Sequence, residues 1–245
     1  MYQFNAAGHL FSSKLGSKAQ QPTPRMAQAS ARSGDLLFVS GGISDLAKFG
    51  VPDVWIFESS KMLWRQVHWT AGDTLPRGRH AHTLTMVNSS LAYMLGGIVN
   101  TGFTNELWRL TQPSPTSRTC QWSLVDGGRC PSPGPSDRAF HAAASLTNAT
   151  TGAVDRMMLF GGLHIQSSGQ PAALNDTWLF NVRTECWTAI TASPHPAARM
   201  GHAMASLGRN NSIALFGGLD PVDWTLFNDL WLFNGTTNRW DLLQV

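Results

Sequence analysis

Four continuous apolar runs punctuate the chain, and each leads into a pair of glycines. They are Leu36-Leu-Phe-Val39 before Gly41-Gly42, Ala92-Tyr-Met-Leu95 before Gly96-Gly97, Met157-Met-Leu-Phe160 before Gly161-Gly162, and Ile213-Ala-Leu-Phe216 before Gly217-Gly218. Short runs without polar interruption predict strands buried on both faces. A variable segment follows each glycine pair, and then an acidic-x-Trp: Asp53-Val-Trp55, Glu106-Leu-Trp108, Asp176-Thr-Trp178 and Asp229-Leu-Trp231. A second Trp closes each unit, at Trp64, Trp122, Trp187 and Trp240. The Trp–Trp interval is nine residues in three units and fourteen in the second, which carries an insertion after Thr111. Each unit therefore predicts four short strands, one hairpin before the glycines and one after them.

Each unit also has a polar head. Arg79 and His82, Arg138 and His141, and Arg199 and His202 share an Arg-x-x-His spacing behind a Pro-containing loop. The first unit has Arg25 and Gln28 there, a degenerate head. Turn residues mark the tips of the first hairpins: Asn88-Ser-Ser, Asn148-Ala-Thr-Thr-Gly and Gly208-Arg-Asn-Asn-Ser. At the start, Tyr2-Gln-Phe-Asn5 through Phe11 aligns with Trp231-Leu-Phe-Asn234 through Trp240, with the same nine-residue aromatic interval. The chain thus reads as a half unit over residues 1–15, followed by full units over 23–70, 76–128, 133–193 and 194–245, all in one domain. A half unit at the start leads us to expect a ring that does not close, and a piece of a longer protein.

The repeated residues have mechanical readings. Paired glycines at the end of a crowded strand let backbone and large side chains approach closely. The two Trp of each unit are apolar plates that fill the wedge between neighbouring sheets. The Arg, His and acidic residues read as polar pins that tie turns together. On this reading Arg79, His82, Gly96, Gly97, Arg138, His141, Gly161, Gly162, Trp178, Arg199, His202, Gly217, Gly218 and Trp231 serve structure. Eight of ten Trp are explained, leaving Trp69 and Trp224.

Composition refines this picture. Charged residues make up 13% of the 245, about half the usual quarter, which suits short strands joined by neutral turns. Net charge is +3, carried by 14 Arg and 4 Lys without a cluster, so nucleic acid is not an expected partner. No apolar stretch is long enough for a membrane-spanning helix. The N-terminus has no basic-then-apolar leader pattern. Cys120, Cys130 and Cys186 form no CxxC or metal spacing; free thiols are expected, with a Cys120–Cys130 bridge as the alternative.

These residues resemble the kelch repeat along essentially the whole chain. The resemblance implies an all-β fold, a propeller of four-stranded blades around a central channel. Kelch propellers usually close with five to seven blades, and this chain has four and a half. The resemblance also raises enzymes, whose requirements can be checked. Copper sites of the galactose-oxidase type need two His, two Tyr and a Tyr–Cys link, and this chain has only Tyr2 and Tyr93. The ExxxDxxxH iron pattern of nitrile-specifier proteins is absent, as are GxSxG, HExxH and phosphate-cradling glycine loops. Three His around a channel could suggest a metal, but each repeats beside its own Arg, so no metal, cofactor or catalysis is expected.

What remains is binding to a protein partner. Loops 43–52, 98–104, 163–174 and 219–227 vary while the strands stay regular, the pattern of a binding face on a rigid scaffold. The last is the most apolar, and Asp220, Asp223, Trp224 and Phe227 are its candidate contacts. The alternative is Trp224 packed down on its own blade. The resemblance points to a non-catalytic interaction or scaffold module; no BTB or BACK segment supports a ligase-adaptor role. The alternative class is an extracellular recognition module of the attractin kind, suggested by acceptor motifs at Asn88, Asn148, Asn175, Asn210 and Asn234. Turn chemistry selects the same residues, and the compartment stays open between cytoplasm and exterior.

Overall fold

The computed structural model describes residues 2–4, 10–12, 21–45, 47–48, 50–69, 72–112, 119–148, 150–208 and 211–243. Its described elements are strands, apart from one short 3-10 turn at Gly127–Arg129. At the start, β1 (Tyr2–Phe4) pairs antiparallel with β2 (Leu10–Ser12). The first blade is β3 (Ala29–Ser33), β4 (Leu36–Ser40), β5 (Val54–Glu58) and β6 (Leu63–Gln66). The second is β7 (Thr83–Asn88), β8 (Leu91–Leu95), β11 (Leu107–Thr111) and β12 (Gln121–Leu124), with a two-residue ladder of β9 (Ile98–Val99) and β10 (Gly102–Phe103) in its middle loop. The third is β13 (Ala142–Thr147), β14 (Val154–Ile165), β15 (Pro171–Asn181) and β16 (Cys186–Ile190). The fourth is β17 (Ala203–Ser206), β18 (Ser212–Phe216), β19 (Leu230–Asn234) and β20 (Arg239–Leu243). Each blade is an antiparallel four-stranded sheet in sequence order, and the first strands β3, β7, β13 and β17 lie in succession beside one another. This is a β-propeller of four blades whose ring is incomplete.

The apolar runs form the second strands and are buried, as continuous hydrophobicity requires. Phe38, Ala92, Met158, Leu159, Phe160, Ile213 and Leu215 are all essentially inaccessible. The closing Trp stacks on the aromatic two residues beyond the first Trp. The pairs Phe57–Trp64, Phe180–Trp187 and Phe233–Trp240 have ring centroids 5.0–5.1 Å apart. Trp240 also reaches back to Phe160 of the preceding blade at 5.4 Å and donates to Thr177 Oγ1. The plates therefore fill wedges between sheets as well as capping their own. Trp69, outside the repeat, packs against Trp122 at 6.1 Å.

Two expectations are corrected. Segment 163–174 is not a loop: β14 and β15 continue past the glycines, with Leu163 opposite Ala173 and Ile165 opposite Pro171. A register shift between Phe160 and Gly162 absorbs the bulge and lets the ladder resume. The thiols are not all free either, and Cys120 is not bridged to Cys130. Cys130 and Cys186 form a disulfide, and Cys120 is buried and free. The bridge joins the tail of the second blade to the outer hairpin of the third. Its partners stand 56 residues apart and meet only once the blades stack, which spacing along the chain does not reveal.

In the first three blades the first glycine of each pair sits where the next blade presses. Gly161 has φ +60°, and a Cβ there would fall 2.8 Å from the Arg199 carbonyl oxygen and 3.0 Å from that of Leu174. At Gly217, φ +71°, the nearest such atom is the Phe227 oxygen at 3.6 Å. Both substitutions carry left-handed strain of about 1–2 kcal/mol. Only Gly161→Ala adds a clash with a neighbouring blade, about 1–3 kcal/mol more. Urea unfolding is expected to show Gly161→Ala as clearly more destabilising than Gly217→Ala; equal losses would remove the neighbour-blade explanation.

Candidate functional site: polar heads and the exposed loop of the fourth blade

A guanidinium that leaves water needs a full set of acceptors. Arg79, Arg138 and Arg199 are at most 1% exposed, and each finds the same set within its own blade. Arg138 donates to both oxygens of Asp176 at 2.7 Å and to the Gly161 carbonyl at 3.1 Å. Arg199 does so with Asp229, at 2.6 and 2.8 Å, and with Gly217 at 3.0 Å. Arg79 reaches Glu106 at 2.6 Å and Gly96 at 3.0 Å. Arg25 binds Asp53 and Gly41 in the same way, though it is less buried, and the first head carries Gln28 in place of the histidine. The same carboxylates accept the indole N–H of Trp55, Trp108, Trp178 and Trp231. Head, glycine pair and acidic-x-Trp thus close into one pin per blade. Hydrogen bonds from Arg199 and Trp231 hold the Asp229 carboxyl below its ordinary range. Burial pushes Glu106 up, but bonds from Trp108 and Arg79 outweigh it and leave that carboxyl lowered too.

The histidines turn toward the preceding blade. The Cε1 of His82, His141 and His202 lies 2.7, 2.9 and 3.2 Å from where a Cβ on Gly41, Gly96 and Gly161 would be. His141 Nε2 is 3.0 Å from Thr83 Oγ1 of the second blade. The equivalent positions under His82 and His202 are Ala29 and Ala142, which offer no hydroxyl. Among the described residues neither of these two rings has a side-chain hydrogen-bond partner, and the Phe160 backbone is the polar group facing His202. Burial, then the adjacent Arg, lowers His82 to about 3 and His202 to about 4, and holds His141 well below its ordinary value. These rings are neutral packing groups. Among the described residues no three His, Cys, Asp or Glu gather closely enough to hold a metal ion.

A contact that sequence reading missed joins the second and third blades. Tyr93, in the apolar run of the second strand, packs on Phe180 at 5.0 Å, and its hydroxyl also donates to Glu185 Oε1 at 2.8 Å. Arg109 donates to the same oxygen, and Cys186, the next residue, carries the disulfide. No sequence signal marked Glu185, because nothing in the repeat repeats it.

The candidate loop 219–227 separates into two groups. Phe227 lies flat against the Arg199 guanidinium, 4.0 Å from ring centroid to Cζ, and belongs to the pin. Asp220 and Asp223 accept the backbone N–H of Val222 and Thr225 at 2.9 Å and fix the turns. Trp224 does not pack down. It is 73% exposed at φ +61°, flanked by Val222 at 75% and Leu226 at 78%. The acceptor asparagines are mostly turn formers. Asn88, Asn148 and Asn234 each accept backbone N–H groups through Oδ1, and Asn148 Nδ2 also donates to Asp155. Asn175 is exposed, and Asn210 lies outside the described residues.

With this geometry in place, comparison with known proteins gives a consistent result. Residues 145–245 match the family described as "KLHDC2/KLHL20/DRC7 Kelch-repeats domain". The chain is 32% identical over 198 residues to "Kelch domain-containing protein 1" of Homo sapiens, covering 78% of this chain and 43% of that protein. It is 29% identical to "Adagio protein 3" of Arabidopsis thaliana over 64% of this chain and 22% of that one. It is 24% identical to "Host cell factor homolog hcf-1" of Caenorhabditis elegans over 91% of this chain and 30% of that one. The chain spans less than half the length of these relatives.

The buried rings set a pH dependence. Their folded pKa values lie below the unfolded value, so the unfolded chain binds more protons in between. Their contribution is complete above about pH 6.5 and is lost as pH falls toward 4. Thermal unfolding followed from pH 7 to 5 should show a falling Tm, and His202→Asn should flatten that slope; an unchanged slope would mean the ring is not buried neutral. Ala142→Thr, which places a hydroxyl beneath His202 as Thr83 does beneath His141, is expected to stabilise by about 0.5–1.5 kcal/mol in urea unfolding.

Proposed function

We propose that this chain of kelch repeats is a non-catalytic module that binds a protein partner through loop 219–227 of its fourth blade. Kelch-repeat relatives support a protein-interaction propeller, and the loop supplies a surface suited to that role. The observation that carries the reading is Val222, Trp224 and Leu226 standing more than 70% exposed on a loop whose turns Asp220 and Asp223 hold in place. An exposed apolar patch on a rigid scaffold marks an interaction site, and Trp is the strongest common anchor. Rigidity matters because a preset loop loses little entropy on binding.

A second reading, recognition outside the cell, is favoured by one observation. The Cys130–Cys186 disulfide would persist in an oxidising compartment and be reduced in cytosol. The asparagines add little to it, since their turn bonds already account for them. Alkylation of the native protein before reduction separates the readings: a blocked pair at Cys130 and Cys186 supports the exterior, and two free thiols support the cytosol.

The loop assignment is tested by Trp224→Ala. Partners recovered with the wild-type chain should be lost or fall at least tenfold with the variant, while Tm stays within about 2 °C, as for a surface change. A large fall in Tm would make Trp224 a stabilising residue, and undiminished recovery would move the site elsewhere.

A further inference from the structure

We infer that segment 126–135, between the second blade and the head of the third, is a redox-released strap: the Cys130–Cys186 disulfide fastens it beside a cleft between the two blades, and reduction by a dithiol frees it while the blades stay joined. Hydrogen bonds anchor its two ends. Val125 donates its N–H to the Leu107 carbonyl at 2.9 Å, and Asn105 Nδ2 donates to the Pro135 carbonyl at 3.4 Å. Between those ends, among the described residues, the backbone bonds are internal to the strap. Gly128 donates to Asp126 Oδ1 and Cys130 to the Gly127 carbonyl, both at 2.9 Å. Gly134 lies on Trp187, where a Cβ would stand 3.0 Å from Cδ1. The disulfide adds the covalent tie. The cleft holds about 330 Å³, and Cys130 lines it together with Leu107, Leu124, Val125, Pro133 and Trp187.

The turn that carries Cys186 is gripped a second time. Glu185, left-handed at φ +54°, accepts from Tyr93 of β8 at 2.8 Å and from Arg109 of β11 at 2.9 Å. Tyr93 packs in turn on the fully buried Phe180. The second blade thus holds this turn from two sides, covalently through the strap and non-covalently through its own strands. The Gly97 amide bonds the Arg138 carbonyl across the same joint at 2.8 Å. Cutting the disulfide leaves Glu185 and Gly97 paired, so the freedom gained goes to the strap. Segments with few backbone bonds to their surroundings are the ones that open locally.

Both cysteines are partly exposed, as thiol–disulfide exchange requires. A thiolate of the dithiol attacks Cys186 Sγ, forming a mixed disulfide and expelling Cys130 as thiolate. The second thiolate of the dithiol then displaces Cys186 and closes the reductant's own disulfide. Two electrons pass to the pair, and the two protons lost by the dithiol end on Cys130 and Cys186. An oxidising compartment keeps the strap fastened and a reducing one releases it, so the device is independent of which compartment the chain occupies.

Trypsin cleavage after Arg129, inside the strap, reads the release. The folded chain is reduced with dithiothreitol, blocked with iodoacetamide and digested beside the oxidised chain, and the fragments are identified by mass. Cleavage after Arg129 is expected to be about tenfold faster or more once the pair is reduced, as for a local opening, while the buried Arg138 and Arg199 stay resistant. Cys130→Ser, which adds no blocking group at that position, should be cleaved at the reduced rate with or without dithiothreitol. Hydrogen exchange of the strap should quicken on reduction, with the Gly97 amide still protected. Cleavage after Arg129 that ignores reduction overturns the inference. So does cleavage after Arg138 and Arg199 that rises with it, or loss of Gly97 protection, since the disulfide would then staple the whole joint. A pair that dithiothreitol reduces only in denaturant overturns it as well, because the folded chain would be closed to the reductant.

Discussion

A buried guanidinium governs this fold. An arginine at most 1% exposed is tolerable only if its donors are filled, and in each blade the fillers come from far apart in the chain. The carboxylate stands in the third strand at Asp176 and just before it in the other blades, and the carbonyl belongs to the glycine at the end of the second. One electrostatic requirement therefore fixes three motifs relative to each other, and the indole N–H on the same carboxylate adds a fourth. Removing one partner from such a set typically costs about 3–5 kcal/mol, because it strands a charge rather than merely losing a contact. Glycine belongs at the end of the second strand for the same reason, since the backbone there must approach a neighbouring carbonyl more closely than any Cβ permits.

The pin within a blade also prepares the joint between blades. Once the Arg side chain is held, its own carbonyl and the left-handed residue two positions on are fixed in space. Those are the groups that the preceding blade binds. Left-handed backbone at Ala27, Ala81 and Phe140 costs about 1–2 kcal/mol each, and is recovered only when the N–H and C=O groups it exposes are paired across the joint. Stability is accordingly a sum of blade terms and nearest-neighbour terms, as in other repeat proteins, and a terminal blade lacks one neighbour term.

The repeat made most of the fold legible in sequence. Apolar runs, glycine pairs and Trp intervals placed the strands of four blades, because each motif answers a local packing demand that recurs. Segment 163–174 was misread as loop because the third blade carries its ladder past the glycines, and a bulge is invisible to a motif that ends at them. The disulfide and the Tyr93–Glu185–Arg109 contact were missed for a different reason. They join neighbouring blades once, at positions the repeat does not constrain, and no periodicity announces a contact that occurs only once. Of the candidate loop residues, the sequence could not divide Phe227, held against Arg199, from Trp224, which stands free. That division depends on which side of the loop the backbone turns outward.

Exposure alone does not distinguish a binding site from a missing neighbour, but position within the repeat does. Phe216 occupies a place whose counterpart Phe160 is covered by His202 and Trp240 of the following blade. Trp224 has no Trp counterpart in the other three units. Its exposure comes with that of Val222 and Leu226 on the same loop. The fourth blade thus bears two apolar surfaces with different origins, one general to the architecture and one particular to this chain.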